Sequence, residues 1–192
     1  MTHTISPKLF DRQINFIKGT ILGGSSIVKP SKGKNCYLSM RHKNADWLRF
    51  KATELQNLAS DSPITTEKTN RWHSICYPVF NTFRDMFYMG NERQLDIDNL
   101  SLLTDVTLAI WYGDCGHYRK NQVVMNTHIW GESGTKTILE YFGYLNYNPC
   151  ILTERGSLRI KLDEDSSEKF MRLISPHIPH FFYKNSNIRK KF

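Results

Sequence analysis

The stretch that decides the fold is Leu108-Ala109-Ile110-Trp111-Tyr112-Gly113-Asp114-Cys115-Gly116. It is an apolar helical segment with small residues at Ala109 and Gly113, and it ends in a short polar cluster closed by glycine. A fainter copy lies near the beginning, Ile17-Lys18-Gly19-Thr20-Ile21-Leu22-Gly23-Gly24-Ser25, where Gly19 and Gly23 repeat the spacing. Residues four apart share one helix face, and small ones let two backbones approach closely. The two stretches are therefore expected to be central helices packed on each other, with Gly19 and Gly23 facing Ala109 and Gly113.

Outward from each copy the same order of elements recurs. The first is followed by a strand at Ile27–Val28, a basic turn from Lys29 to Lys34, and a strand over Cys36–Arg41. Alternation in that strand puts Cys36, Leu38 and Met40 on one face and Tyr37, Ser39 and Arg41 on the other. Asn44 or Asp46 caps a helix with an apolar stripe of Trp47, Phe50, Leu55 and Leu58. Polar, turn-like sequence runs to Asn70, then a strand over Arg71–Tyr77 and a helix opened by Pro78 and continuing to Phe87. The second copy leads into a basic turn, His117–Asn121, a strand over Gln122–Trp130 and a helix over Glu132–Leu145. Strands near Cys150–Thr153 and Ser157–Leu162, joined by Glu154-Arg155-Gly156, precede a helix over Glu168–Ile174. The pattern predicts an α+β fold of two pseudo-symmetric αββαββα halves, residues 8–90 and 104–184, with a linker at 91–103 and a basic tail at 185–192.

Such a chain, 192 residues long, can bury a sizeable core. Its 26 Lys and Arg against 18 Asp and Glu give a net charge of +8, which favours a polyanionic partner. Cys36, Cys76, Cys115 and Cys150 are widely spaced with no C-x-x-C pair, which argues against a structural zinc site or a disulfide framework. The Cys115-x-His117 pair lacks two further ligands. With no apolar signal run and no segment of transmembrane length, the expectation is a soluble monomer of a reducing compartment, the cytoplasm or an organelle matrix. The cations repeat with the pattern. Lys29, Lys32, Lys34, Arg41 and Lys43 surround the first strand pair, Arg119 and Lys120 sit at the matching turn, and Arg155, Arg159 and Lys161 lie on later strands. Two sheets side by side would make a saddle with basic, polar strand faces, suited to duplex DNA or structured RNA.

With these elements in order, the chain resembles the single-chain LAGLIDADG homing endonucleases over roughly residues 10–184. Tyr77-Pro78-Val79-Phe80 with Phe87-Tyr88 is similar to the segment closing the family's first half. Thr127 resembles its Asn-Thr strand, and Ile174-Ser175-Pro176-His177-Ile178-Pro179 with Phe182-Tyr183-Lys184 resembles its end. The resemblance implies a long asymmetric DNA site bound across the saddle and cut on both strands with divalent metal. One carboxylate at the eighth position of each motif would serve the metal. It also implies a lysine near the scissile phosphates, matched by Lys184, with Arg93 in the corresponding place of the first half.

At those eighth positions this chain has Gly24 and Cys115. Glycine offers no side-chain donor, and a thiol is a soft donor ill matched to magnesium. Asp114 stands at the seventh position, where only a rotation of the helix end would aim it at a metal. The expected function is a nuclease-inactive nucleic-acid-binding protein without a cofactor, kept for RNA binding as an intron maturase or as a ribonucleoprotein or ribosome component beside other proteins. Two alternatives stay open: an active Mg²⁺-dependent DNA endonuclease using Asp114, and a DNA-binding regulator.

Overall fold

The computed structural model describes residues 7–59, 64–65 and 70–183. The first half runs α1 (Asp11–Leu22), β1 (Ser26–Val28), β2 (Tyr37–Arg41), α2 (Ala45–Glu54), β3 (Ile64–Thr65), β4 (Asn70–His73) and α3 (Val79–Phe87). A hairpin, β5 (Tyr88–Met89) and β6 (Glu92–Arg93), and a short helix, α4 (Ile97–Ser101), lead into the second half. That half runs α5 (Asp105–Cys115), β7 (Gly116–Arg119), β8 (Gln122–Asn126), α6 (Gly131–Tyr144), β9 (Pro149–Glu154), β10 (Ser157–Leu162) and α7 (Glu164–Ile174). The order αββαββα thus occurs twice. Each half forms an antiparallel sheet of the same topology, β1-β2-β4-β3 and β7-β8-β10-β9.

Local chemistry fixes the boundaries. The Asn44 side chain accepts from the backbone N–H of Asp46 and Trp47, Thr104 from Thr107, and Asp163 from Ser166, so α2, α5 and α7 start on side-chain caps. The Asp163 cap starts α7 a turn earlier than the apolar spacing indicates. Two hairpins turn on pairs of left-handed residues, Lys120-Asn121 (φ 52° and 60°) and Arg155-Gly156 (φ 52° and 75°). Such pairs match the twist of tight two-residue hairpins.

At the centre, α1 lies directly on α5. A Cβ on Gly19 would stand 2.6 Å from the Thr107 carbonyl oxygen and 2.8 Å from the Ile110 Cβ. One on Gly23 would stand 2.3 Å from the Asp114 Cβ. The side of α5 that meets α1 is therefore the stripe Thr107, Ile110, Asp114, and this corrects the expected facing of Gly113. A Cβ on Gly113 would instead meet the Trp47 ring of α2 at 2.1 Å. Gly113 is one residue off the Ile110/Asp114 stripe, a rotation of about 100° that turns it toward α2. Ala109 is fully buried.

The halves share one apolar core and exchange tryptophans. Trp47 contacts Phe182 of the closing turn at 4.8 Å, and Trp130 contacts Phe87 at 6.1 Å while its Nε1 donates to the Leu22 carbonyl (3.1 Å). Four strands differ from expectation, and one of them, β4, ends at His73 rather than Tyr77. β3 falls in the polar run before Asn70. β7 occupies what reads as a basic turn, because its polar residues face away from the core and Tyr118 packs against it. β8 stops at Asn126, and a 3-10 turn over His128–Trp130 replaces the expected strand end. The 91–103 stretch carries β6 and α4.

Candidate nucleic-acid interface

Strand register sorts the basic residues by face. Leu38, Met40 and Trp72 point into the core, leaving Tyr37, Ser39, Arg41, Arg71 and His73 on the open face of the first sheet. Arg41 and Arg71 are direct cross-strand partners. In the second sheet Val123, Met125 and Ile160 are buried. His117, Arg119, Gln122, Asn126, Arg159 and Lys161 share the opposite face. Of the cations singled out from the sequence, Arg41, Arg119, Arg159 and Lys161 thus lie on sheet faces. Lys29, Lys32 and Lys34 flank or form the β1–β2 connection, Lys43 follows β2, and Lys120 and Arg155 are at hairpin turns. Lys184 lies outside the described residues.

Arg159 is ion-paired with Glu154, while its Nε is buried without a partner. Burial holds the His73 pKa below the ordinary imidazole value, with Arg71 and Arg41 adding to the effect. Burial lowers His117 too, followed by the charge of Arg159, with Glu154 opposing. Both rings are neutral at neutral pH.

The ends of the two central helices carry the positions where the family resemblance places metal carboxylates. At the end of α5, the Asp114 carboxylate accepts from Lys51 Nζ at 2.6 and 2.7 Å, from Trp47 Nε1 at 2.6 Å and from Thr20 Oγ1 at 3.2 Å. The side chains are 0% (Lys51) and 5% (Asp114) exposed. Burial lowers the Lys51 pKa, and Asp114 opposes that shift. A carboxylate offers about four lone-pair sites, and here they are spent on the protein's own donors. Next to it, Cys115 Sγ donates to the Trp111 carbonyl (3.4 Å). Burial pushes the thiol pKa far up and the Asp114 charge pushes it further, so the sulfur stays protonated.

The end of α1 is built differently. Gly24 is exposed, at φ +121°, a conformation that side chains rarely adopt. The Arg93 guanidinium donates to the carbonyls of Ser25 (2.6 Å), Ile21 (3.2 Å) and Gly24 (3.3 Å) and to Ser26 Oγ (3.1 Å). Helix C-termini leave carbonyls unpaired and carry partial negative charge, so a cation there is favoured. Arg93 also lies over the rings of Tyr88 and Trp130, each at 5.3 Å. Its hydrogen bonds go to this helix end.

These donors do not fit a hard divalent ion, which wants several anionic or carbonyl oxygens free to turn toward it. The Gly24 carbonyl faces a guanidinium, the Asp114 carboxylate is saturated, and the Cys115 thiol is neutral. Among the described residues no group of three or more His, Cys, Asp or Glu side chains could hold a metal.

Sequence reasoning missed Lys51, Arg71 and His73. Lys51 was marked by its place four residues after Trp47 and four before Leu55 in the apolar stripe of α2. Arg71 and His73 alternate with buried Trp72 and Ser74 in a strand the sequence did show.

The model of the LAGLIDADG DNA endonuclease family matches residues 14–170. This chain belongs to that family. Among solved structures, it is similar to the homing endonuclease I-WcaI bound to its DNA recognition sequence, with TM-score 0.84 and 18% identity over 93% of this chain and 87% of that one. The I-DmoI complex with DNA and Mn gives TM-score 0.58 and 13% identity over 88% and 98%. Full-length DUF199/WhiA from Thermatoga maritima gives 0.58 and 11% over 98% and 63%. At these identities the likeness shows the shared α+β LAGLIDADG fold. A Protein RecA from Mycolicibacterium fallax is 23% identical over 189 residues, covering 88% of this chain and 45% of that protein. The chain therefore spans less than half the length of that relative. Among the described residues no helix is long and apolar enough to cross a membrane.

Proposed function

We propose that this LAGLIDADG protein binds a nucleic-acid duplex across the open faces of its two sheets as a monomer and does not hydrolyse it. One observation carries the reading: neither eighth position, Gly24 or Cys115, offers a carboxylate, and each central helix ends beside a protein cation, Lys51 on the neighbouring Asp114 or Arg93 on the carbonyls around Gly24. Phosphodiester hydrolysis by divalent metal needs anionic oxygens that hold the ion beside the phosphate. Here the one carboxylate at either end among the described residues is buried against a lysine.

Binding rests on the sheet faces. Arg41 directly opposite Arg71 is unfavourable on a free sheet, and a phosphate between them relieves it. Arg119 and Lys161 extend the basic face across the second sheet. DNA is the first ligand to test, because similar I-WcaI and I-DmoI structures are described with it. A structured-RNA role, as a maturase or ribonucleoprotein component, rests on the same loss of metal donors beside a kept basic face.

The test is a gel shift against duplex DNA pools and a folded group I intron RNA, each in Mg²⁺, Mn²⁺ and EDTA, with cleavage scored in parallel. Binding of the DNA should persist in EDTA, with no requirement for divalent metal, and should fall with salt, several counterions being released. No strand should be cut. Metal-dependent cutting abolished by Asp114→Asn, or a salt slope near zero, would overturn the proposal.

A further inference from the structure

Strand β1 is an edge strand, and its outer backbone is sealed by side chains. The Ile27 N–H donates to the Tyr88 hydroxyl (3.2 Å), and the Ile27 carbonyl accepts from Arg84 Nη1 (2.9 Å). Arg84 also donates to the Gly90 carbonyl (2.6 Å) and Asn91 Oδ1 (2.9 Å) and lies over the Tyr88 ring at 4.9 Å. Every one of these acceptors is neutral. Arg84 is thus pinned in place and makes no ion pair among the described residues, and the same holds for Arg93, whose acceptors are carbonyls and a hydroxyl.

Two adjoining cavities open along this edge. One, of about 340 Å³, is lined by Lys29, Lys34, Arg84 and Asp85 among others. The other, of about 370 Å³, shares Lys29, Arg84 and Tyr88 and reaches Arg93. Asn81 ties the loop to α3 by accepting the Cys36 N–H (2.8 Å), which fixes the chain beside Lys34. Neither Lys29 nor Lys34 makes an ion pair among the described residues. The trough therefore sets four cations against one carboxylate, Asp85.

We infer that this trough holds one phosphodiester strand, separately from the duplex on the sheet faces. Its cavities are in the range that takes a small ligand, room for a strand's phosphates rather than a duplex. Successive phosphates need a line of cations, and Lys34, Lys29, Arg84 and Arg93 supply one along the β1 edge. Tyr88 is already occupied by Arg84 and Arg93, so bases find no open ring to stack on and the site is indifferent to sequence. Its ligand is a single-stranded stretch of DNA or RNA, such as a flank or loop of the molecule bound on the sheets. The inference rests on the nucleic-acid reading above.

The test is fluorescence anisotropy of the full chain with short oligothymidylate, oligouridylate and a duplex. Three proteins are compared: wild type, Lys29→Ala with Lys34→Ala, and Arg41→Ala with Arg71→Ala. All four substituted side chains are exposed, and far-ultraviolet circular dichroism confirms folding. The lysine variant should lose about tenfold in single-strand affinity and about two from the log–log salt slope. The arginine variant should lose duplex and keep single-strand binding. The oligonucleotide held more tightly by wild type names the sugar. Single-strand affinity within about twofold of wild type in the lysine variant would overturn the trough. So would equal loss in the arginine variant. Failure of the sheet reading looks different: wild type binds no duplex, or the arginine variant binds it unchanged.

Discussion

The two central helices end in pseudo-equivalent places and solve the same problem in opposite ways. At the end of α5 a carboxylate remains, and the fold buries it with Lys51, Trp47 and Thr20 as partners. At the end of α1 the two residues are glycines, and Arg93 reaches over from the linker hairpin to the carbonyls of Ile21, Gly24 and Ser25. One end is a closed, neutral ion pair; the other is a clamp whose charge stays positive. The helix crossing is thus kept while the two helix ends meet different cations, Lys51 from α2 and Arg93 from the linker hairpin.

Breaking the α5 end should have the largest effect. Lys51→Ala leaves the Asp114 carboxylate buried without its counter-charge, and removal of one partner of such a pair costs about 3–5 kcal/mol. Chemical denaturation would measure it. The double variant Lys51→Met with Asp114→Leu should recover most of the loss, since no unpaired charge remains. If Lys51→Ala alone is neutral, the pair is not what holds this end.

The crossing comes next. Gly19→Leu drives a side chain against the Thr107 carbonyl and Ile110, an overpacking cost of about 1–3 kcal/mol. A wild-type denaturation midpoint in that variant would contradict the close approach of α1 and α5.

This crossing also shows how far the sequence could be read. Glycines four apart announce two helices in contact, and the αββαββα order follows from strand alternation and caps. Spacing alone leaves the rotation of α5 undetermined by one residue, which is why it points Gly113 at α1 and not at Trp47, the ring it meets. Strand β7 was hidden because three of its four residues, Gly116, His117 and Arg119, are not apolar and only Tyr118 packs inward. The open faces were half legible: Arg41 showed in a clear alternation, while Arg71 and His73 were part of a strand read without its outward face. The fate of Asp114 lay beyond local pattern, because Lys51, its counter-ion, is far away in sequence.

A smaller effect sharpens the α5 end. His42 lies near Asp114 and Lys51, and burial lowers its pKa below the ordinary imidazole value. Its unfolded form therefore binds a proton first, near pH 6.5, and stability present above that pH is lost as pH falls toward the depressed folded value. The loss is about 1.4 kcal/mol per unit of depression. His42→Gln should flatten stability against pH below about 6.5; an unchanged slope would place the acid sensitivity elsewhere, at His73 or His117.

If protein cations stand in for metal at both helix ends, neither end binds a divalent ion. A Mn²⁺ titration of the full chain, followed by electron paramagnetic resonance with and without bound duplex, decides this. The free Mn²⁺ signal should be the same for wild type and for Asp114→Asn, with no stoichiometric site on the protein. A stoichiometric Mn²⁺ site in wild type that Asp114→Asn removes would contradict it.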